Sequence, residues 1–140
     1  MDRKYQTKIV DVKKLVKELE KIAEKTKNKD LIIDGHLSHY TPKNIVTHAI
    51  VLRAHPNELK KRLIAKGFNS NKIKENLEAE ALDICLYEAV KNYEREKVFE
   101  IDTTRKSPKE ILNIVLRILS KKIKPGEFSP GQVDFLESVF

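Results

Sequence analysis

The amino-acid sequence predicts an α/β fold built on a parallel sheet. Three short apolar runs, at 31–33, 49–52 and 98–101, are separated by segments whose apolar residues recur every three or four positions. Short apolar runs of this kind are typical of strands buried on both faces, and intervening helices are typical of parallel connections. Each run ends in polar residues, at the edge where parallel sheets bind ligands.

Two helices are predicted in the first half of the chain. The first begins after Asp11, a residue suited to cap a helix, and its apolar face continues to Ala23. The second covers residues 57–66 and stops at Gly67, because glycine favours the left-handed backbone that ends many helices.

Two more helices are predicted in the second half. The pattern indicates one long helix from Ser70 to Tyr93. Ser107 to Glu110 form a capping box with proline at the first helical position, which predicts the start of the last helix. Its buried stripe is predicted at Ile111, Leu112, Val115, Leu116 and Leu119.

Composition limits the classes of protein to consider. With 140 residues, of which 40% are apolar, the chain is the size of one domain with a core of its own. The formal net charge of +7 favours an anionic partner such as a nucleotide, RNA or an acidic protein face. A single cysteine excludes a disulfide framework and a cysteine-based zinc site, and no apolar run is long enough to cross a membrane.

Two groups of residues are candidates for phosphate chemistry. Asp34 follows an apolar run, where a carboxylate can hold a magnesium-bound water, and His36 can carry a proton or position a water. Arg53 ends the second run, while Arg62 and Lys66 lie four residues apart on one helix face and suit a phosphate clamp. The alternative interpretations are a turn-forming aspartate and a solvated basic face.

Taken in order, five blocks resemble the adenylate kinase isoenzyme 6 family of P-loop nucleoside monophosphate kinase-like ATPases. The similarity extends over nearly all of residues 5–122. The blocks are Ile33 to His39, Val51 to Pro56, Arg62 to Phe68, Asn76 to Glu80, and Ile101 to Thr104. The resemblance implies a parallel-sheet P-loop kinase-like domain over residues 1–124, a lid-like region at 65–75, and a tail at 125–140.

The resemblance also implies roles for individual residues. Asp34 corresponds to the Walker B aspartate that binds Mg²⁺ through water, and His36 to the histidine of the Asp-x-His motif. Lys66 stands where many members have a lid arginine; the lysine keeps the charge but lacks the planar fork. Thr104 and Arg105 belong to the loop that borders adenine, and Tyr5 to Val10 resemble the end of the monophosphate-binding region.

The function that the resemblance implies is Mg²⁺-dependent phosphoryl transfer between ATP and AMP, or ATP hydrolysis, in maturation of the small ribosomal subunit. The implied partners are a small-subunit ribosomal protein and rRNA, with no membrane. The implied location is cytoplasmic, or nuclear in a eukaryote. The alternative is a non-catalytic protein that binds a ribosomal protein or rRNA, which the positive charge also favours.

The sequence departs from the family at its phosphate loop. None of its four glycines belongs to a G-x-x-x-x-G-K-[ST] motif. In the family the first strand and this loop lie between the strands that match 31–33 and 49–52, so we expect an incomplete sheet and a shortened chain. Without the loop, we expect weak and salt-sensitive ATP binding. The tail is expected to pack on the domain through Phe135, Leu136 and Phe140.

Overall fold

The structure, a computed structural model, describes residues 9–139. Phe140 and residues 5–8, for which the sequence analysis makes predictions, lie outside this range. The described elements are α1 (Val12–Thr26), β1 (Ala49–Arg53), α2 (Pro56–Ala65), α3 (Ser70–Ala81), α4 (Ile84–Asn92), β2 (Val98–Asp102) and α5 (Pro108–Leu119). Short 3₁₀ turns occur at Ser38–Tyr40, Arg95–Lys97 and Leu136–Ser138. None of the described helices is long and apolar enough to cross a membrane.

The sheet of the described chain consists of β1 and β2, which pair in parallel. Ala49 lies opposite Val98, and Arg53 lies opposite Asp102. Helices α2, α3 and α4 connect the two strands. One face of the sheet packs on α4, where Leu86, Ala89, Tyr93 and Val98 form a buried cluster. This arrangement confirms the α/β fold class and fits a P-loop kinase-like fold that is incomplete.

The strand predicted at residues 31–33 is wrong, because this segment forms no strand in the structure and pairs with neither β1 nor β2. Ile32 is 89% exposed. A strand needs a neighbour to satisfy its backbone N–H and C=O groups, and no described segment offers one here. The following turn is fixed instead by the Tyr93 hydroxyl, which donates to the carbonyl oxygens of Ser38 and Thr41 at 3.2 and 3.0 Å.

The predicted helix ends depend on local chemistry, and three of them are confirmed. The Asp11 carboxylate accepts a hydrogen bond from the Lys14 N–H at 3.1 Å. Gly67 follows α2 with φ of +75°. At α5 the Glu110 N–H donates to the Ser107 hydroxyl oxygen at 3.3 Å, while the Ser107 N–H donates to the Glu110 carboxylate at 2.7 Å.

The single helix predicted from Ser70 to Tyr93 is instead two helices, α3 and α4. The N-cap of α3 is Asn69, whose side chain accepts a hydrogen bond from the Lys72 N–H at 2.8 Å. The break lies at Asp83, which adopts a left-handed φ of +56°. The Asp83 carboxylate accepts a hydrogen bond from Arg53 at 2.5 Å, so an ion pair with a distant residue accompanies the break.

The buried stripe predicted on α5 is only partly buried. Ile111 and Val115 are half-buried, whereas Leu112, Leu116 and Leu119 each remain about half exposed. The deeply buried residue of α5 is Ile118, 1% exposed, which the predicted stripe does not include. The two described strands form a narrow sheet, because neighbouring strands lie only about 5 Å apart and a helix with its side chains is about 10 Å wide. A sheet of two strands is too narrow to cover a whole helix face, and much of the apolar face of α5 stays in solvent.

The tail packs back on the domain, as predicted. The Glu100 N–H donates to the Phe128 carbonyl oxygen at 2.9 Å, so the tail follows β2 at this point. Phe135 is buried as expected, whereas Leu136 is 45% exposed.

Candidate functional site

The candidate site lies at the carboxyl edge of the sheet, where both strands end and two helices begin. The N–H and the hydroxyl of Thr103 both donate to the carbonyl oxygen of Arg53, at 2.8 and 2.7 Å. These bonds fix the ends of β1 and β2 against each other. Helices α2 and α5 start within six residues of these ends. Their first N–H groups carry partial positive charge, which favours anions at this edge.

Thr104 is held at this edge by hydrogen bonds on both sides. Its N–H donates to the Asp102 carboxylate at 2.9 Å, and its hydroxyl donates to the same oxygen. Its hydroxyl oxygen accepts a hydrogen bond from the backbone N–H of His55 at 2.9 Å. Burial opposes ionisation of Asp102, but the hydrogen bonds from Thr104, with Lys106 and His55 nearby, keep the pKa of Asp102 below its ordinary value. The edge thus presents a rigid threonine beside an ionised carboxylate.

His55 joins the carboxyl edge to the tail. Its Nδ1 accepts from the Asn57 N–H at 3.2 Å and caps α2, so the neutral imidazole carries its proton on Nε2. Nε2 lies 3.3 Å from the Ser138 hydroxyl oxygen, and the Phe135 ring meets the imidazole edge-on at a centroid distance of 5.3 Å. His55 lies within one of the blocks that resemble the family, but the sequence alone predicts no role for it. Its contacts with the tail are made by residues 80 and 83 positions further along the chain.

Arg53 does not face the open edge, contrary to the predicted phosphate contact. Its side chain is 1% exposed and bonded to Glu80, Asp83 and Glu100 at 2.8, 2.5 and 2.6 Å. Burial disfavours its charge, but the hydrogen bonds and charges of Glu80 and Asp83 prevail and raise the pKa of Arg53. The guanidinium of Arg53 is therefore already bound by three carboxylates of the chain itself. Its role is to hold β1 against the α3–α4 joint and β2.

Arg62, Lys66 and Arg105 remain available to an anion. All three side chains are exposed, and within residues 9–139 none of them forms an ion pair. Lys66 is the last residue before the Gly67 turn, and its N–H donates to the Arg62 carbonyl oxygen at 3.1 Å, one helical turn back. The region 65–75, predicted to be lid-like, comprises the end of α2, the short connection 66–69 and the first half of α3.

Asp34 and His36 lie in the exposed segment between α1 and β1. In the described part of the chain, neither side chain makes a hydrogen bond or an ion pair. Mg²⁺ at nucleotide sites is usually held by one or two carboxylates, with waters and substrate phosphates completing the shell. An unpaired, exposed carboxylate at Asp34 fits such a water-bridged role. A self-sufficient protein cage is not available, because residues 9–139 contain no cluster of three or more metal-ligating side chains.

Comparison with known proteins decides the family. A family model described as an AAA domain matches residues 1–83. A protein named "Putative adenylate kinase" from Methanococcus maripaludis is 40% identical over 132 residues, covering 94% of this chain and 67% of the relative. One of the same name from Methanosarcina barkeri is 41% identical over 136 residues, covering 94% of this chain and 71% of the relative. The chain belongs to the adenylate kinase-like family of AAA-domain proteins.

The adenylate kinase-like chain matches its relatives over only part of their length. A relative from Pyrococcus furiosus is 46% identical over 98 residues, which cover 70% of this chain and 52% of the relative. The chain thus spans about half to two thirds of the length of the first relatives it matches.

Several residues of this adenylate kinase-like site are not predicted from the sequence. Glu80 and Asp102 lie inside the blocks that resemble the family, and the position of Asp102 at the end of an apolar run is a signal that could identify it. Glu100 lies within a strand, where alternation predicts a residue on one face but not its partner. Only the packed structure shows that its carboxylate meets Arg53.

Proposed function

We propose that the carboxyl edge takes part in adenylate kinase-like phosphoryl transfer from ATP, with Mg²⁺ bound to the nucleotide. The observation that carries the proposal is the fixed Thr104 at the strand ends, next to two helix starts and the unpaired cation Arg105. The relatives that carry the name "Putative adenylate kinase" support the same activity. Such a reaction transfers the terminal phosphoryl group of ATP to AMP.

Phosphoryl transfer depends mainly on positioning and on charge neutralisation, and this chain offers groups for both. Arg62, Lys66 and Arg105 would neutralise phosphate oxygens, and Thr104 would border the base. The Asp34 carboxylate would hold a water of the Mg²⁺ shell, while His36 would orient a water or accept a proton. Bound Mg²⁺ would supply charge neutralisation between the phosphates. Arg53 takes no part in this proposal, because its guanidinium is already occupied.

The expected affinity of this chain is low. Its sequence has no G-x-x-x-x-G-K-[ST] loop, whose backbone N–H groups cradle the phosphates in P-loop proteins. Flexible lysine and arginine contacts are screened by salt, so we expect a dissociation constant of about 1 mM, or roughly −4 kcal/mol.

Binding at this strength is best followed residue by residue, by a ¹H–¹⁵N NMR titration with ATP, with and without Mg²⁺. We expect shift changes at residues 34–36, 62–66 and 104–105. Asp34→Asn should remove the Mg²⁺-dependent part of these changes, whereas Asp30→Asn, in the same exposed segment, should retain it. Shift changes that avoid the carboxyl edge, or that persist unchanged in Asp34→Asn, would contradict the proposal.

The finer predictions of the isoenzyme 6 resemblance concern partners. The link to maturation of the small ribosomal subunit, and a ribosomal protein and rRNA as partners, stay predictions of that resemblance. The identity of the phosphoryl acceptor belongs with them.

A further inference from the structure

A groove of about 890 Å³ lies at the opposite edge of the sheet, where the strands begin. Its walls come from the segments 44–48, 95–99 and 118–129, which lead into β1, begin β2 and follow α5. We call it the amino-edge groove. The two strands are five residues long, so this groove lies about 16 Å from the carboxyl edge.

The amino-edge groove is positively charged. Arg95, Lys97, Lys121 and Lys124 line it, against Glu96 and Glu127. The Glu127 carboxylate is already neutralised by Arg117, at 2.8 and 2.9 Å, and accepts from the Lys124 N–H at 2.9 Å. The ammonium groups of Lys121 and Lys124 form no ion pair with any residue in the described range. Their charge is therefore available to an anionic partner.

Lys121 occupies a backbone conformation that normally selects glycine. Its φ is +55°, just beyond the end of α5. Its N–H donates to the Ile118 carbonyl oxygen at 3.0 Å, and the Lys122 N–H donates to the Arg117 carbonyl oxygen at 2.8 Å, as in a glycine-ended helix. A lysine is strained here, and strained positions are concentrated at functional sites. The side chain of Lys121 lines the groove.

A pair of aromatic rings lines the same groove. The rings of His48 and Phe99 stack with a centroid distance of 5.8 Å and an interplanar angle of 27°. Both residues are half-buried, so part of this aromatic surface remains accessible. Aromatic faces beside unpaired cations are the combination that binds single-stranded nucleic acids, because bases stack on the rings while phosphates meet the cations.

We propose that the amino-edge groove binds a short single-stranded polynucleotide, with phosphates at Lys121 and Lys124 and a base on the His48–Phe99 pair. An acidic peptide could pair its carboxylates with the two lysines, but its backbone and carboxylates would not stack on the rings of His48 and Phe99. The proposal is independent of the nucleotide site at the carboxyl edge, because the two sites share no residue.

The test uses fluorescence anisotropy with a short fluorescein-labelled oligouridylate, over a series of salt concentrations. The double variant Lys121→Glu/Lys124→Glu should weaken binding by on the order of tenfold and reduce the slope of log affinity against log salt by about 1.4. The matched control is Lys13→Glu/Lys17→Glu on exposed α1, which changes the net charge equally. The control should leave affinity nearly unchanged. Equal losses in both variants, or no binding by the wild-type protein at low salt, would overturn the proposal.

Two single variants separate binding from folding. Lys121→Gly should raise the melting temperature, because glycine relieves the left-handed strain, and yet lower the affinity for oligouridylate. A higher melting temperature with unchanged affinity would refute the role of Lys121. His48→Ala should lower the affinity without changing the salt slope, because it removes stacking and no charge. Competition by hexaglutamate as effective as that by unlabelled oligouridylate would show that the groove takes an acidic peptide instead.

Discussion

Replacing Arg53 by methionine should destabilise the fold strongly. The substitution keeps an apolar stem of similar shape in a site that is 1% exposed, but removes the cation shared by three carboxylates. Glu100 has a fully buried side chain, and Glu80 is 14% exposed, so water cannot replace the lost hydrogen bonds without opening the site. Removing one partner of a buried ion pair typically costs about 3–5 kcal/mol.

The size of this effect is measurable by urea unfolding followed by circular dichroism. With a denaturant dependence of about 2 kcal/mol per molar urea for a domain of this size, the midpoint should fall by roughly 2 M. The matched control is Arg62→Met, because Arg62 is exposed on α2 without an ion pair in the described chain. The control should change the free energy of unfolding by no more than about 0.5 kcal/mol.

The outcome also distinguishes the two roles considered for Arg53. If Arg53 were a ligand of phosphate, its replacement by methionine would cost little stability and would clearly weaken nucleotide binding. If Arg53→Met unfolds at the same urea concentration as the wild-type protein, the reasoning that assigns this residue to the interior is refuted.

Three further substitutions test local features of the fold. Ser107→Ala should cost about 1 kcal/mol and lower the melting temperature, because it removes the side chain that caps α5; an unchanged melting curve would show that the cap contributes nothing. Gly67→Ala should cost about 1 kcal/mol in urea unfolding, although no atom lies within 4 Å of the added carbon, because the loss comes from its φ of +75° alone. For Asp102, the folded-state pKa lies below the unfolded value, so its stabilisation is complete above about pH 4 and is lost as the pH falls further. The difference in unfolding free energy between wild type and Asp102→Asn should therefore be constant near neutral pH and shrink in acid; a difference that grows in acid would contradict the assignment.

The sequence predicts those features whose causes lie within a few residues. Asp11 and Ser107 cap their helices through bonds to residues three positions away, so a local pattern is sufficient. The segment 31–33 has the composition of a strand, but a strand forms only beside a partner, and composition cannot supply one. The break at Asp83 is accompanied by a bond to Arg53, 30 residues earlier, and no periodicity reveals such a bond. Arg53 itself illustrates the limit, since its place at a strand end indicates the carboxyl edge but not which way its side chain points.

The internal ion pairs also change how the net charge should be interpreted. The cluster around Arg53 takes the carboxylates of Glu80 and Glu100, but only one guanidinium, out of the solvent-facing surface. The surface is therefore more positive than the formal charge of +7 suggests. The remaining positive charge includes Arg105, just beyond the end of β2 at the carboxyl edge, and Lys121 and Lys124 in the amino-edge groove. Arg62 and Lys66 add to it at the end of α2. Because the length of the strands separates Arg105 from the lysines of the groove by more than a Debye length at physiological salt, the two positions attract anions independently of each other. A basic composition thus corresponds to two separate anion-facing regions, of which the motifs of the family explain only the first.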